Sequence, residues 1–283
     1  MNLLILGSKG YIGKHFIASP HIAKFNSILM PKYKNEIDLL DLVHLTTYLE
    51  GAEFDLIMNC TGYLPHRHEK NYGYDINRFG SANLVKALKM VGKSTPIIHF
   101  SSATEIRVGK HTESEYSLSK IEGFENLLEA NIGLDVPIIQ VVLHNIVGRD
   151  PDSNNFLNTL ITSAELHSSI KVNFPHRMRD FVWIDDCIDG IAEVLKNVQQ
   201  QCELQSLPPL SRYEIGSGTP ISLYELAIFV YKLTGASVDN IKIDQQETDL
   251  FPSIFANVAE SGCMISQTSI ETILRNVIGQ EVK

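Results

Sequence analysis

The stretch Leu3-Leu4-Ile5-Leu6-Gly7-Ser8-Lys9-Gly10-Tyr11-Ile12-Gly13, near the start of the chain, decides the fold. Its four apolar residues, Leu3–Leu6, are typical of a strand that is buried on both faces of a parallel sheet. The glycines that follow have the spacing G-x-x-G-x-x-G, and an amphipathic segment, Tyr11–Ala18, begins among them. Strand, glycine turn and helix in this order predict the first unit of a doubly wound α/β sheet.

The glycine turn is a candidate site for a dinucleotide. One glycine permits the tight turn, another lets backbone N–H groups approach a pyrophosphate, and the last allows close contact between helix and sheet. The N-terminus of the helix then stabilises the negative charge. The alternative is a turn with a purely structural role, but its place between strand and helix favours dinucleotide binding. The predicted cofactor contacts of the turn are Gly7, Lys9, Gly10, Tyr11, Ile12 and Gly13.

The same alternation of apolar runs and amphipathic segments continues through the first half of the chain. Further strands are predicted at Ser27–Met30, Leu56–Asn59, Ile97–Phe100 and Ile138–Leu143, and further helices at Leu42–Leu49, Ile76–Val91 and Tyr116–Asn131. This repetition predicts a Rossmann-type doubly wound parallel sheet in residues 1–148. Beyond a polar loop, helices and short strands mix. We therefore expect residues 149–283 to form a smaller α/β substrate-binding lobe, with the chain crossing between the two parts as one structural unit.

The composition excludes several classes of protein. The chain has 283 residues, of which 44% are hydrophobic and 20% are charged, so it is neither disordered, fibrous nor a disulfide scaffold. A net charge of −9 argues against a general nucleic-acid binder but permits a local basic pocket for a small anion. The 4 cysteines form no C-x-x-C pair, and no metal site is predicted. No apolar run approaches the ~18 residues of a membrane span, and the N-terminus resembles no signal peptide, so a cytoplasmic location is expected.

The residues after the second predicted strand bear on the choice of cofactor. A carboxylate at this position would bind the ribose 2′-OH of NAD and repel the 2′-phosphate of NADP. The sequence is Met30-Pro31-Lys32-Tyr33-Lys34, which has two lysines and no acid, and Lys9 adds a third candidate cation. This pattern favours NADP over NAD. The alternative is that the lysines are ordinary surface charges.

A serine, a tyrosine and a lysine form the candidate catalytic set. In Tyr116-Ser117-Leu118-Ser119-Lys120 the tyrosine and the lysine are four residues apart, so they share a helix face. An ammonium there can lower the pKa of the phenol, which would then exchange a proton with a substrate hydroxyl or carbonyl. Ser102 follows a predicted strand at the sheet edge where ligands bind, and it could hydrogen-bond the same substrate oxygen. An exposed helix is the alternative interpretation, but the order of the motifs favours catalysis.

These features together resemble the extended short-chain dehydrogenase/reductases, and especially the NAD(P)-dependent sugar epimerase/dehydratase family. The resemblance covers nearly the whole chain. It is also carried by Asp38-Leu39, Asn59-Cys60-Thr61-Gly62, Tyr74-Asp75-Ile76-Asn77-Arg78-Phe79-Gly80, His144-Asn145-Ile146-Val147-Gly148, Arg179-Asp180-Phe181-Val182-Trp183-Ile184-Asp185-Asp186 and Tyr213-Glu214-Ile215-Gly216-Ser217-Gly218. One departure is the short separation of Ser102 and Tyr116, which bears on the substrate more than on the fold.

The resemblance implies roles for individual residues. Ser102, Tyr116 and Lys120 would be catalytic. Cofactor contacts beyond the glycine turn would come from Lys32, Asp38, Leu39, Cys60, Thr61, Gly62, Asn77, Ser101, Tyr116, Lys120 and His144. Substrate contacts would come from Ser102, Asn145, Asn155 and Arg179, whose guanidinium fork suits the diphosphate of a nucleotide sugar.

The reaction implied by the resemblance is the reduction of a nucleotide-linked 4-keto-hexose by hydride transfer from NADPH, with Tyr116 as the acid or base. A nucleotide-sugar 4-epimerase with tightly bound NAD is one alternative. A non-catalytic NADP-sensing or scaffold protein of the same fold is another. The resemblance also implies a homodimer that packs helices beginning near Leu84 and Tyr116. The charge and the apolar runs described above predict neither nucleic acid nor membrane as a partner.

Overall fold

The computed structural model describes residues 1–63, 70–103, 114–133, 135–148, 155–243, 253–257 and 262–279. Its strands are β1 (Asn2–Leu6), β2 (Ser27–Leu29), β3 (Leu56–Asn59), β4 (Ile97–Ser102), β5 (Ile138–Leu143), β6 (Asn145–Val147), β7 (Ile170–Val172), β8 (Met178–Arg179), β9 (Phe181–Trp183), β10 (Leu210–Gly216), β11 (Ile221–Ser222), β12 (Ile241–Ile243) and β13 (Cys263–Ile265). Its α-helices are α1 (Tyr11–Ala18), α2 (Leu42–Gly51), α3 (Lys70–Met90), α4 (Glu115–Ala130), α5 (Phe156–Glu165), α6 (Ile184–Glu203), α7 (Leu223–Thr234) and α8 (Ile270–Ile278).

The central sheet has seven strands in the order β13-β10-β5-β4-β3-β1-β2. The pairs β1–β2, β1–β3, β3–β4 and β4–β5 are parallel. From β1 the strand order runs outward in both directions, to β2 at one edge and through β3, β4, β5 and β10 to β13 at the other, as it does when helices cross over both faces. The prediction of a Rossmann-type α/β fold is therefore confirmed.

The first compact unit comprises residues 1–143 and 188–214. Its core is formed by apolar side chains of the strands and of the helices that cover them, including Leu4, Ile57, Leu84, Ile97 and Ile138. The sequence prediction ends this domain at residue 148 and places 188–214 in the second lobe. The structure instead adds 188–214 to the first unit, because β10 joins the central sheet and the Pro209 carbonyl accepts a hydrogen bond from Ile138.

The second compact unit comprises residues 144–187 and 215–283, of which the described parts are given above. It has its own apolar core, which includes Leu160, Phe181, Leu226 and Tyr231. Three short strand pairs lie in this part of the chain: β6–β9 and β7–β12 are parallel, and β8–β11 is antiparallel. Two separate cores explain why the two parts of the chain form distinct compact units.

Candidate functional site

The glycine turn has no room for side chains at two of its positions. Gly7 has a φ of +73°, and a Cβ atom there would lie 2.8 Å from backbone atoms of Cys60. A Cβ on Gly13 would lie 2.5 Å from the Gly7 carbonyl oxygen. Helix α1 begins at Tyr11, and its N-cap is Gly10, which has no side chain to accept hydrogen bonds from the backbone amides of the first turn. The turn is therefore a backbone cradle at a helix N-terminus, which fits the pyrophosphate of a dinucleotide.

The segment after β3 lies directly beside this cradle. The Cys60 amide donates to the Leu6 carbonyl at 2.9 Å, which joins the carboxyl ends of the two strands. Thr61 is partly exposed, and Gly62 is exposed. Among the described residues, a Cβ on Gly62 would meet only the Asn77 side-chain oxygen, at 3.9 Å. The structure thus brings the predicted cofactor residues of this segment to the same sheet edge as the glycine turn.

The prediction of the cofactor type used three lysines. Lys32 and Lys34 lie in the loop after β2, and Lys9 lies in the glycine turn. Lys9, Lys32 and Lys34 are all exposed. The backbone N–H of Lys32 donates to a Glu36 carboxylate oxygen at 2.9 Å, so the loop folds an acid back towards the lysines. The sequence prediction missed this acid, because it considered only the residues directly after the strand.

Two of the predicted cofactor contacts, Asp38 and Leu39, are engaged within the protein. The Asp38 carboxylate accepts a hydrogen bond from the Leu40 amide at 2.9 Å and one from the Tyr33 hydroxyl at 3.3 Å. Leu39 is 1% exposed, and its side chain packs in the core of the first unit. The carbonyl oxygen of Leu39 accepts a hydrogen bond from Asn83 at 2.9 Å. A role for these two residues at the cofactor stays a prediction.

The predicted catalytic residues lie on two neighbouring elements, β4 and α4. Ser102 ends β4, Tyr116 lies in the first turn of α4, and Lys120 follows one turn later. The Lys120 ammonium is largely buried and donates to the Phe100 carbonyl at 2.9 Å. Ser102 and Tyr116 are partly exposed. The Lys120 ammonium is therefore held at the carbonyl of Phe100, which lies two residues before Ser102 on β4. Tyr116 lies on the same helix as Lys120.

Asn77 connects the segment after β3 to helix α4. Its side-chain oxygen accepts from the Tyr63 amide at 2.8 Å, and its side-chain nitrogen donates to the Ser119 hydroxyl at 3.0 Å. The Ser119 hydroxyl in turn donates to the Tyr116 carbonyl at 2.8 Å. Asn77 is buried and both ends of its amide are used within the protein, so it fixes α4 to the segment after β3. A direct contact of Asn77 with the cofactor stays a prediction.

Ser101 is also engaged within the sheet. It is 3% exposed, and its hydroxyl accepts a hydrogen bond from the Gln140 side chain at 3.0 Å. This places its side chain between β4 and β5 and away from solvent. A direct contact of Ser101 with a cofactor stays a prediction.

The remaining predicted residues belong to the second unit. Asn145 donates through its side chain to the Asp180 carbonyl at 2.9 Å, and His144 is buried. Asn155 is the N-cap of α5, and its side chain accepts from the Asn158 amide at 2.8 Å. Arg179 is partly exposed on β8 and donates to the Met178 carbonyl at 2.7 Å.

The carboxylate of Asp180 is an anchor that the sequence prediction missed. It is fully buried and accepts from the Ser217 amide and hydroxyl at 2.8 and 2.6 Å. It also accepts from the amides of Gly218 and Ala256, each at 3.0 Å. Four donors satisfy the charge, so Asp180 fixes the strand that carries Arg179 to two other segments. The only available signal was its place beside Arg179 in the R-D-F motif.

Asp185 and Asp186 lie in the first turn of α6 and have structural partners. Asp185 accepts from the Trp183 indole N–H at 3.0 Å. Asp186 accepts from the amide and hydroxyl of Thr268 at 2.7 and 3.0 Å. Across the described residues, no three His, Cys, Asp or Glu side chains are grouped to hold a metal ion. His66 and His68 lie outside the described residues.

A family model described as the NAD dependent epimerase/dehydratase family matches residues 3–206 of the chain. The chain belongs to this family. The match includes the glycine turn, the segment after β3, the end of β4 and helix α4. The resemblance inferred from the sequence is therefore confirmed at the level of the family.

Three individual proteins are similar to this epimerase/dehydratase family member. A CDP-abequose synthase from Salmonella typhimurium is 20% identical over 128 residues, which cover 44% of this chain and 41% of that protein's length. The structure of RMD from Pseudomonas aeruginosa with NADPH matches with a TM-score of 0.71 and 18% identity, over 98% of this chain and 97% of that one. A UDP-glucose 4-epimerase with UDP-glucose, from Thermotoga maritima, matches with a TM-score of 0.74 and 14% identity, over 99% and 98%.

Helix α4 of this family member packs very closely on α3, and this contact gives a first prediction. A Cβ on Gly123 would lie 2.0 Å from the Asn77 carbonyl oxygen, so Gly123→Ala must push the helices apart. We expect the free energy of unfolding to fall by about 1–3 kcal/mol. A displacement of Lys120 by ~1 Å is expected to lower kcat by up to about 10²-fold. Chemical denaturation and steady-state kinetics measure the two effects.

Gly51→Ala is the matched control for this prediction. Gly51 ends α2, and no atom of the described residues lies within 4 Å of a Cβ placed there. The control should keep wild-type kcat and change the unfolding free energy by less than about 1 kcal/mol. Equal behaviour of the two variants would show that the close approach at Gly123 does not position α4.

Proposed function

We propose that this protein transfers a hydride between a nicotinamide cofactor and C4 of a nucleotide-linked hexose, and that its net reaction is reduction of a 4-keto sugar by NADPH. The observation that carries the proposal is the position of Lys120. Its ammonium is buried against the Phe100 carbonyl, two residues from Ser102, and Tyr116 precedes it by one helical turn. The glycine cradle of the same unit fits the dinucleotide.

Each catalytic residue has a distinct role in this proposal. The nicotinamide cofactor supplies the hydride when it is bound. Tyr116 donates a proton to the C4 oxygen of the sugar as the carbonyl is reduced. Lys120 stabilises the resulting phenolate, because a nearby positive charge favours the ionised form of a tyrosine. Ser102 hydrogen-bonds the same oxygen and orients it.

The choice of a nucleotide sugar is supported by the similar proteins and by Arg179. One relative is named as a synthase of a CDP-linked sugar, and one structural neighbour holds UDP-glucose. Arg179 lies on β8 of the second unit, where its guanidinium is fixed through the backbone of its neighbour Met178. A guanidinium can bind two phosphate oxygens at once, so Arg179 would bind the diphosphate. We also propose a homodimer that packs α3 and α4.

A second candidate function is a 4-epimerase with tightly bound NAD. Exposed Lys9 and Lys32 favour a 2′-phosphate and therefore NADP, which suits a cofactor that is consumed and released. Glu36, however, lies against the backbone of Lys32. A carboxylate in this loop would bind a ribose 2′-OH and favour NAD, and an epimerase returns its hydride to a retained cofactor.

Cofactor analysis of the purified protein separates the two candidates. The reductase should contain no stoichiometric NAD, and it should bind NADPH more tightly than NADH in a fluorescence titration. Replacing Glu36 with glutamine should raise that preference further, because it removes a charge that repels the 2′-phosphate. Stoichiometric NAD that does not exchange would overturn the reductase and support the epimerase. Binding of neither cofactor would contradict both.

A further inference from the structure

A chain of hydrogen bonds connects the segment after β3 to a buried histidine in β4. The amide and the hydroxyl of Thr61 both donate to the Asn59 side-chain oxygen, at 3.1 and 2.5 Å. The Asn59 side-chain nitrogen donates to the Ser81 hydroxyl at 3.0 Å. The Ser81 oxygen lies 3.1 Å from Nδ1 of His99. Burial shields this series of hydrogen bonds from water, because Asn59, Ser81 and His99 are 3%, 6% and 5% exposed.

The hydrogen bonds connect Thr61 to His99 through two buried side chains. The Ser81 oxygen accepts from Asn59 and is also hydrogen-bonded to Nδ1 of His99. The other ring nitrogen of His99, Nε2, has no hydrogen-bond partner among the described residues. Because the Asn59 amide accepts from Thr61 and donates to Ser81, its hydrogen bonds polarise and strengthen one another.

Two features keep His99 neutral and fixed. Burial, together with the nearby charge of Lys120, lowers the pKa of the ring to about 3, so His99 is neutral at any pH near neutrality. The ring also stacks on Phe124 with 5.6 Å between centroids. The imidazole that ends the series of hydrogen bonds therefore has a constant charge and a constant orientation.

The consequence for Thr61 concerns the chemistry that it presents to a ligand. Its hydroxyl proton is directed inward to Asn59, so its oxygen can offer only lone pairs to the outside. Thr61 is partly exposed, and it lies next to Cys60, whose backbone contacts the glycine cradle. A group that binds here must donate a hydrogen bond. On a dinucleotide, the ribose hydroxyls are such donors.

We propose that His99 is a positioning residue which, through Ser81 and Asn59, holds Thr61 as a hydrogen-bond acceptor for a ribose hydroxyl of the cofactor. The proposal rests on the proposed function, because it requires NAD(P) in the glycine cradle. Thr61 would touch the cofactor, whereas His99 acts at a distance through two intervening side chains. The two residues should therefore affect cofactor binding as one unit.

A double-mutant cycle tests this coupling through the Kd values of NADPH and NADH, measured by fluorescence titration. Thr61→Val removes the acceptor, and His99→Phe removes the end of the chain while keeping an aromatic ring against Phe124. Each single variant should raise Kd roughly fivefold, the value of one hydrogen bond. The double variant should be no weaker than Thr61→Val, because His99 has no effect once the acceptor is gone. Ser81→Ala should raise Kd by the same factor as His99→Phe, and it replaces His99→Phe in the cycle if that variant does not fold.

Tyr231→Phe is the control for general destabilisation. It removes a buried hydrogen bond from the Tyr231 hydroxyl to the Ser168 carbonyl, at 2.8 Å, in the second unit. It should leave Kd unchanged, alone and combined with Thr61→Val. Two results would overturn the coupling and leave the proposed function intact. One is a double variant whose rise in Kd is the product of the rises for Thr61→Val and His99→Phe; the other is an unchanged Kd in both His99→Phe and Ser81→Ala. Failure of the wild-type protein to bind either cofactor would overturn the proposed function as well.

Discussion

The variant Tyr116→Phe is expected to lose about 10²–10⁴-fold in kcat/KM, the usual contribution of a positioned acid or base. The substitution removes the hydroxyl that exchanges a proton with the sugar oxygen, and it keeps the ring. Lys120, held by the Phe100 carbonyl, and Ser119, held by Asn77, keep their places on α4. Kd for the cofactor should therefore change by less than about threefold, the size expected for less than one hydrogen bond.

Tyr48→Phe is the matched control for this variant. Tyr48 lies on α2 and packs partly against the core of the first unit, outside the residues assigned to the site. The control should keep wild-type kcat/KM. A Tyr116→Phe protein that binds cofactor and retains full activity would remove the tyrosine from proton transfer. If that protein also kept its cellular role, it would favour the non-catalytic scaffold.

The variant Gly7→Ala is expected to weaken cofactor binding by at least about tenfold, since moving the cradle misplaces several backbone donors at once. Two effects act at this position. An alanine must adopt the φ of +73°, and its Cβ would lie 2.8 Å from the Cys60 carbonyl carbon and oxygen and from the Thr61 nitrogen. Strain at φ costs about 1 kcal/mol, and the clash is expected to add about 1–3 kcal/mol of destabilisation.

Gly92→Ala separates the two effects. Gly92 has a φ of +68°, and within the part of the chain that the structure describes nothing lies within 4 Å of a Cβ placed there, so this variant carries the φ strain alone. Urea denaturation should therefore show a larger loss of unfolding free energy for Gly7→Ala than for Gly92→Ala. Cofactor titration should show a loss only for Gly7→Ala. Equal losses in both measurements would mean that the turn is not the tight cradle described above.

The regular elements of the first unit follow closely from the local sequence. Helix α1 and strands β3 and β5 have the predicted bounds. The two strands are predictable because fully buried parallel strands are continuous apolar runs with clear ends. Helix α3 begins at Lys70, six residues before the predicted start at Ile76. Its first residues are polar and show no apolar periodicity, so the pattern gave no sign of them.

Long-range partners within the site were beyond the sequence. No spacing rule connects Asp180 to Ala256, since 76 residues separate them and the contact depends on the packed second unit. The return of Glu36 to Lys32 depends on loop geometry in the same way. His99 looks like an isolated polar residue in an apolar strand until Ser81 on α3 is placed beside it. Side-chain networks of this kind depend on tertiary contacts, whereas strand and helix patterns are local.

Deuteride transfer tests whether this protein reduces a 4-keto sugar. Wild-type protein is incubated with NADPH deuterated at nicotinamide C4 and with a panel of nucleotide-linked 4-keto-hexoses, and the products are analysed by mass spectrometry and NMR. We expect one deuterium at C4 of the sugar with at least one substrate. The Tyr116→Phe variant should not transfer this deuterium. Binding of NADPH and substrate without any transfer of deuterium to the sugar would contradict the proposed reduction.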